Sequence, residues 1–213
     1  MNSLRTQACL VCDSVAKRAF DFMCQYQSRL ETDVVEQDSH ARRGGFCAFH
    51  TWQYNQLSSS CGVCAGNSAF LQSVGERLLA IAAGAMATEE LLHELERCPA
   101  AHPACGVCEL TAKAEEEALA EALSGLKSAT AMNNTVPLLC FPHLVALASR
   151  CTELDKIRLL LERHGEEFKG VAEEMRQYID KFKNLRRDLI THRERVAAWY
   201  GLILLAGRSE SRF

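Results

Sequence analysis

The segment Cys9-Leu10-Val11-Cys12 begins a pattern that recurs along the chain, in which a Cys-x2-Cys pair is followed by a Cys and a nearby His. The first closing pair is Cys47 and His50. Two further sets follow, and their members are Cys61, Cys64, Cys98 and His102, and then Cys105, Cys108, Cys140 and His143. Between each opening and closing pair lie 34, 33 and 31 residues. Three thiolates and one imidazole make a closed tetrahedral set for a soft divalent metal, so the pattern predicts a metal-binding protein.

The simplest interpretation is that each closing pair completes the site of its own opening pair. The chain then divides into tandem units, which are residues 1–57, 58–104 and 105–150, followed by C-terminal helices over 151–213 that pack on them. The first and third sets share the form C-x2-C…C-x2-H, and a Phe stands beside each closing pair, at Phe46 and Phe141. Scattered core thiols would not explain this repeated spacing.

The middle set differs, because its closing pair is Cys98-x3-His102 and it lacks the neighbouring aromatic residues. Three interpretations stay open for it. It is a third metal site, or Cys61 and Cys64 form a redox-active dithiol at a helix N-terminus, which favours the thiolate, or these thiols have no role. If the set held a metal with an open position, a metalloenzyme with Glu94 or Glu96 as general base would follow.

Zinc is the expected metal, with two or three ions per chain, since Cys3His is one of its standard structural sets. The alternative is an iron–sulfur cluster, although ligation by thiolates alone is more usual there. The chain has eleven cysteines, and the two outside the sets, Cys24 and Cys151, are expected to be small buried apolar residues.

No export signal is visible before Cys9, and the longest apolar run, from Val196 to Gly207, is too short to span a bilayer. A cytoplasmic location is therefore expected, where reducing conditions favour metal ligation over disulfides.

Composition favours helix over sheet, since only 7% of the residues are aromatic and only four are proline. Each Cys-x2-Cys pair leads into apolar residues at three- or four-residue spacing. The tail continues this spacing from Ile157 to Phe182, which predicts one helix of about 28 residues. Thr191 and Glu194 have the spacing of a capping box for a final helix that ends at Gly207. The predicted fold class is an all-α helical bundle of metal-stapled units with a long C-terminal hairpin.

The net charge of −3 gives no general attraction to nucleic acid or to an anionic surface. A basic patch at Arg186, Arg187, Arg193 and Arg195 is interspersed with Asp188 and Glu194, which favours a solvated helix face. The acidic run from Glu115 to Glu117 is interpreted in the same way. His164 lies on the apolar stripe of the tail and is interpreted as a hydrogen-bonded core imidazole.

The twin modules Cys9-x2-Cys12…Cys47-x2-His50 and Cys105-x2-Cys108…Cys140-x2-His143 resemble an uncharacterised bacterial family known only as a domain of unknown function. The segment from Lys181-Phe182 to Arg186, with Glu194 and Trp199, also resembles the closing segment of that family. Two features depart from it: Lys183 and Asn184 follow the Lys-Phe pair, where the family has an acidic and an aromatic residue, and the middle set is not part of the family pattern. The resemblance implies a helical protein with two metal sites and implies no reaction.

The function expected from the sequence is a zinc-binding helical protein with structural Cys3His sites, acting without catalysis as an interaction or regulatory module. Its partner is an unidentified protein or a second copy of the chain. The alternative is a redox or electron-transfer protein that uses an iron–sulfur cluster or the dithiol of Cys61 and Cys64.

Overall fold

A computed structural model describes residues 9–101, 103–128 and 136–208 of the chain. Within these residues the secondary structure is helical and contains no strand, which confirms the all-α class. The helices are α1 (Leu10–Thr32), α2 (Val34–Arg42), α3 (Ala48–Leu57), α4 (Ser60–Ala83), α5 (Thr88–Glu96), α6 (Gly106–Ser128), α7 (Phe141–Ala148), α8 (Leu154–Lys183) and α9 (His192–Ala206). A single 3-10 turn, Arg187–Leu189, precedes α9. None of the described helices combines the length and the apolarity needed to cross a bilayer.

The described residues form two compact units that do not follow the tandem boundaries expected from the sequence. Of the described residues, the first unit contains 9–16, 113–128 and 136–208, and the second contains 17–101 and 103–112. Helices α1 and α6 each contribute residues to both units. The first unit is therefore assembled from segments that are far apart in the sequence.

The first unit has an aliphatic core between α6, α7 and the start of α1, in which Val15, Leu119, Leu126 and Leu147 are almost completely buried. The second unit has an aromatic centre around Phe46, whose ring lies 4.7 Å from that of His40 and 5.3 Å from that of Tyr54. Phe46 immediately precedes Cys47, so this aromatic packing fixes the approach of the backbone to the first closing pair.

Helices α8 and α9 form the predicted hairpin. Helix α8 has 30 residues, close to the expected length. Thr191 and Glu194 make the predicted capping box, because each side chain accepts a hydrogen bond from the backbone N–H of the other. Glu194 is buried, and Lys181 Nζ lies 2.6 Å from its carboxylate. Gly207 ends α9 as predicted, with a φ of 75°.

His164 connects α8 to the backbone that leads into Cys140. Its Nε2 accepts a hydrogen bond from the Leu139 N–H at 2.9 Å, and its Nδ1 lies 2.7 Å from the Leu160 carbonyl oxygen, to which Nδ1–H donates. Burial lowers the pKa of His164 below its usual value, and the hydrogen bond to Leu160 opposes this shift only in part. The interpretation as a hydrogen-bonded core imidazole is confirmed, and the neutral ring helps to position Cys140.

We predict that His164→Leu lowers the free energy of unfolding by about 1–3 kcal/mol at pH 7.5, because the buried Leu139 N–H loses its acceptor. Since the pKa of His164 is lowered by folding, the native protein loses this contribution as the pH falls below the ordinary histidine value. The difference between the two proteins in urea unfolding should therefore shrink between pH 7.5 and pH 5.

The matched control is His192→Leu, at the exposed first residue of α9. It should unfold within about 0.5 kcal/mol of the native protein. Equal losses for both variants would contradict the role assigned to His164.

Candidate metal centres

The structure brings eight of the predicted ligands into two groups of four. Site A contains Cys9, Cys12, Cys140 and His143, and site B contains Cys47, His50, Cys105 and Cys108. Within each group the donor atoms all lie within 4.8 Å of one another. Site A lies within the first unit and site B within the second. The eight residues that the structure brings together were all among the ligands predicted from the sequence.

The pairing expected from the sequence was wrong. Cys9 and Cys12 meet Cys140 and His143 rather than Cys47 and His50, and Cys105 and Cys108 meet Cys47 and His50. Each opening pair has exchanged its closing pair with the other module. Site A therefore joins two segments of the chain that lie more than a hundred residues apart.

Helix lengths explain the exchange. Beyond Cys12, α1 carries the chain about 30 Å, at 1.5 Å per residue, whereas the nine residues of α2 bring it back only about 13 Å. The loop that follows turns at Gly44 and Gly45, both at positive φ, instead of extending. Cys47 consequently packs in a cluster with Met23, near the middle of α1. Because the first closing pair cannot return to Cys12, the two modules exchange partners.

Both sites are built in the same way from two helix N-termini. In site A, Cys9 precedes α1 and Cys12 lies in its first turn, while Cys140 is the N-cap of α7 and His143 lies in its first turn. Site B has the same arrangement at the start of α6 and with Cys47 as the N-cap of α3. The positive end of a helix dipole stabilises thiolates, so each pair of N-termini favours the ligating form of the cysteines.

The donor spacing fits one tetrahedral ion in each site. Cys12 Sγ lies 3.7 Å from Cys140 Sγ in site A, and Cys47 Sγ lies 3.7 Å from Cys108 Sγ in site B. Two thiolates bound to one zinc at about 2.3 Å and at tetrahedral angles are separated by about 3.8 Å. In an iron–sulfur cluster the four ligands are distributed over two or more irons, so the donors spread around a larger group. The observed spacing is compatible with a single ion at each site.

Each histidine turns Nδ1 towards the sulfur atoms of its site. His143 Nδ1 lies 3.1 Å from Cys140 Sγ, 3.3 Å from Cys9 Sγ and 3.4 Å from Cys12 Sγ. His50 Nδ1 lies 3.2 Å from Cys47 Sγ and 3.3 Å from the sulfurs of Cys105 and Cys108. Nδ1 is therefore the ligand atom that both sites offer.

Protons on several of the donor atoms compete with a cation for the same lone pairs. Burial lowers the pKa of His143, but its contacts with the thiols of Cys12 and Cys9 outweigh burial and raise that pKa to about 10. Contacts with Cys12 and Cys9, and then burial, raise the pKa of Cys140. Burial, followed by contact with Cys47, raises the pKa of Cys108 to about 12. A bound cation must displace these protons, so metal uptake releases protons and weakens in acid.

Glu115 is a site residue that the sequence analysis missed. Its Oε1 lies 3.4 Å from His143 Nε2, on the side of the ring opposite the sulfurs. A carboxylate in this position fixes the ring orientation and makes Nδ1 a better ligand. The acidic run was interpreted as a solvated helix face; the Glu115 side chain is 41% exposed, but it also contacts His143. No sequence signal identifies this contact, because it depends on α6 and α7 lying side by side.

The end of α9 covers site A. A Cβ added at Gly207 would lie 3.3 Å from Cys12 Sγ and 3.4 Å from Cys140 Sγ. Next to it, Arg208 Nη1 lies 2.8 Å from Asp13 Oδ1, which ties the chain to the first turn of α1. The three cysteines of site A are completely buried. The close approach of Gly207 contributes to excluding water from their sulfur atoms.

The middle set is not assembled among the described residues. Cys61 and Cys64 are exposed in the first turns of α4, and Cys98 is buried just after α5. His102 lies outside the described residues, and no group of metal-ligating side chains in the described part of the chain includes the three cysteines. Glu94, considered above as a general base, forms ion pairs with Arg77 and Arg97.

The remaining two cysteines differ from each other. Cys151 is buried, as predicted, but Cys24 is exposed on α1, so the prediction was wrong for Cys24. All eleven cysteines lie within the described residues, and none of them forms a disulfide there.

No protein-family model, no curated protein and no solved structure matches this chain. The resemblance to the bacterial family with twin modules therefore stays a prediction.

The exchanged pairing predicts which double variants keep a metal ion. Cys12→Ser with Cys140→Ser removes two ligands from site A alone and should leave about one ion per chain. Cys12→Ser with Cys47→Ser removes one ligand from each site and should leave close to none, because two thiolates and an imidazole bind far more weakly. Elemental analysis of metal per chain measures both.

Cys61→Ser with Cys64→Ser is the control for losing two thiols and should retain the full metal content. The tandem pairing predicts the reverse: Cys12→Ser with Cys47→Ser would keep one ion, and Cys12→Ser with Cys140→Ser would keep close to none. That result would overturn the exchange.

We predict that Glu115→Gln weakens metal binding at site A by about 10- to 100-fold, because His143 loses the carboxylate that orients it. Competition with a chromophoric chelator should then show one weakened ion and one unchanged ion per chain. Glu121→Gln, an exposed change on the same helix, is the matched control and should leave both affinities unchanged.

Proposed function

We propose that this protein is a zinc protein in which sites A and B are structural, and that it serves as a non-enzymatic interaction or regulatory module. The observation that carries the proposal is the closed donor set at each site, with three sulfurs and one imidazole nitrogen around a single point. Zinc is favoured because Cys3His is one of its standard structural sets.

Closed coordination supports a structural role over a catalytic one. Catalytic zinc keeps a position open for water or substrate, whereas four protein ligands fill a tetrahedron. The burial of all three site A thiols and the approach of Gly207 also leave little room for a substrate there. The proposed ions therefore act by holding helix N-termini together.

The energy available from such ions is large compared with the stability of a domain. Structural zinc contributes roughly 10–16 kcal/mol of apparent binding free energy at neutral pH, against about 5–15 kcal/mol for the folding of a whole domain. Without a cation, each site holds three thiols and an imidazole in close contact. We therefore propose that the folded state of each unit depends on its metal.

Metal removal tests the proposal. A strong zinc chelator should abolish the cooperative thermal transition and most of the helical circular dichroism, because the core around each site loses its cross-link. Adding back zinc should restore both. The purified protein should be colourless and contain two zinc ions per chain by elemental analysis.

Other results would be equally informative. An unchanged melting temperature after complete metal removal would refute the structural role. A brown protein that absorbs visible light would favour the iron–sulfur alternative. Three zinc ions per chain would assign a site to the middle set. The Cys61→Ser/Cys64→Ser variant should respond to the chelator as the native protein does.

A further inference from the structure

The turn between α8 and α9 exposes an unusual combination of side chains. All eight residues from 182 to 189, here called the α8–α9 tip, are exposed. Three of them are large apolar residues, namely Phe182, Leu185 and Leu189, whose exposed fractions are 42%, 81% and 56%. Leu185 is the most exposed large apolar residue in the described part of the chain.

Leu185 adopts a backbone conformation that is unfavourable for leucine. Its φ is 58°, and it is the one non-glycine residue at positive φ in the part of the chain that the structure describes. The Arg186 N–H donates to the Lys181 carbonyl oxygen at 2.9 Å, which is the closing hydrogen bond of a Schellman motif at the end of α8. Glycine normally occupies this position, because a Cβ is disfavoured at positive φ. Leu185 therefore combines backbone strain with solvent exposure.

The tip is held in place at its base. The buried Glu194 carboxylate binds Lys181 at the end of α8 and accepts a hydrogen bond from the Thr191 N–H at the start of α9. Asn184 also donates to the Asp180 side chain at 2.8 Å. The exposure of Leu185 is therefore a property of an ordered turn.

Positive charges lie between the apolar side chains of the tip. Lys183, Arg186 and Arg187 oppose one acidic residue, Asp188, so the tip has the opposite sign to the chain as a whole. Among the described residues no ion pair involves these three cations. Arg187 lies over the Phe182 ring, with its guanidinium carbon 4.1 Å from the ring centre. Arg186 and Arg187 are thus available to an anionic partner. The sequence analysis had predicted only a solvated helix face for these residues.

We propose that the α8–α9 tip docks on an anionic membrane surface. Leu185, Phe182 and Leu189 enter the boundary between headgroups and acyl chains, while the three cations remain beside lipid phosphates. Each basic residue near an anionic leaflet strengthens attraction, and the apolar side chains add the burial that charge alone does not provide. The strain at Leu185 places an apolar side chain at the point that enters first.

The arrangement fits a lipid surface better than a protein surface. Protein interfaces have an apolar centre depleted of charge and a polar rim, whereas here cations alternate with apolar residues along the turn. The tip offers three large apolar side chains, whereas a standard protein interface buries about 800 Å² per partner with about 20–30 residues on each side. Interfacial binding to a bilayer needs only a few inserted side chains and matching charge.

The test uses the full, metal-loaded chain in co-sedimentation with vesicles. The native protein should bind vesicles of phosphatidylcholine with 30% phosphatidylglycerol, and bind pure phosphatidylcholine at least tenfold more weakly. Raising the salt to 1 M should weaken the binding to anionic vesicles. Replacing Lys183, Arg186 and Arg187 by Gln should reduce it by about 100-fold.

Leu185→Gly separates stability from binding. It should raise the melting temperature by about 2–4 °C, since glycine tolerates the positive φ, and yet weaken vesicle binding by about 5- to 10-fold. Controls are Leu79→Ala for loss of an exposed leucine, and Lys169→Gln with Arg163→Gln for loss of exposed charge on α8. These should bind vesicles as the native protein does.

Three outcomes would overturn the proposal. One is equal or absent binding to both vesicle types by the native protein. Another is full binding by either variant. Full binding by the triple Gln variant would place the lipid contact elsewhere, and full binding by Leu185→Gly would mean that charge alone accounts for the attraction. The last is equally tight binding to soluble poly-glutamate, which would show that an acidic polymer suffices as a partner.

Discussion

The convergence of two helix N-termini on one point is the constraint from which the architecture follows. At each site a Cys-x2-Cys pair begins a long helix, and a Cys-x2-His pair begins a short one. The four donors come within 4.8 Å, and the hydrogen-bonding demands of both helix ends are concentrated there. A cation at this point would neutralise the thiolates that the helix dipoles favour, and in site A it would reinforce the aliphatic core that already joins the same segments.

The exchange of closing pairs determines how these links run through the chain. In site A, Cys12 and Cys140 are 128 residues apart, compared with the 35 that separate Cys12 from Cys47. Closing the longer loop costs only about 1 kcal/mol more, because the entropy depends on the logarithm of loop length. That difference is small compared with the energy of coordination, so chain entropy does not select the pairing. The rigid lengths of α1 and α2 select it.

The surroundings of the sites show how closely the rest of the fold is adapted to them. Glu115 orients His143, His164 holds the backbone before Cys140, and Gly207 allows the end of α9 to approach two sulfur atoms. The same hairpin that provides His164 and Gly207 also carries the strained, exposed Leu185 at its other end. One pair of helices thus completes a buried site and presents the surface proposed to meet lipid.

The sequence by itself determined the eight donor residues that could hold metal, the helical class, the long tail helix and the capping box at Thr191, because each depends on short spacings that local geometry sets. Only the tertiary structure decided which closing pair meets which opening pair. The two Cys-x2-His pairs are chemically interchangeable, so the lengths of the rigid helices before them determine which opening pair each one can approach. Local sequence patterns likewise do not predict the contact of Glu115 with His143, the covering of site A by Gly207 or the exposure of Cys24. These features depend on which helix faces pack together. Periodicity predicts the apolar face of a helix but not the helix that packs against it.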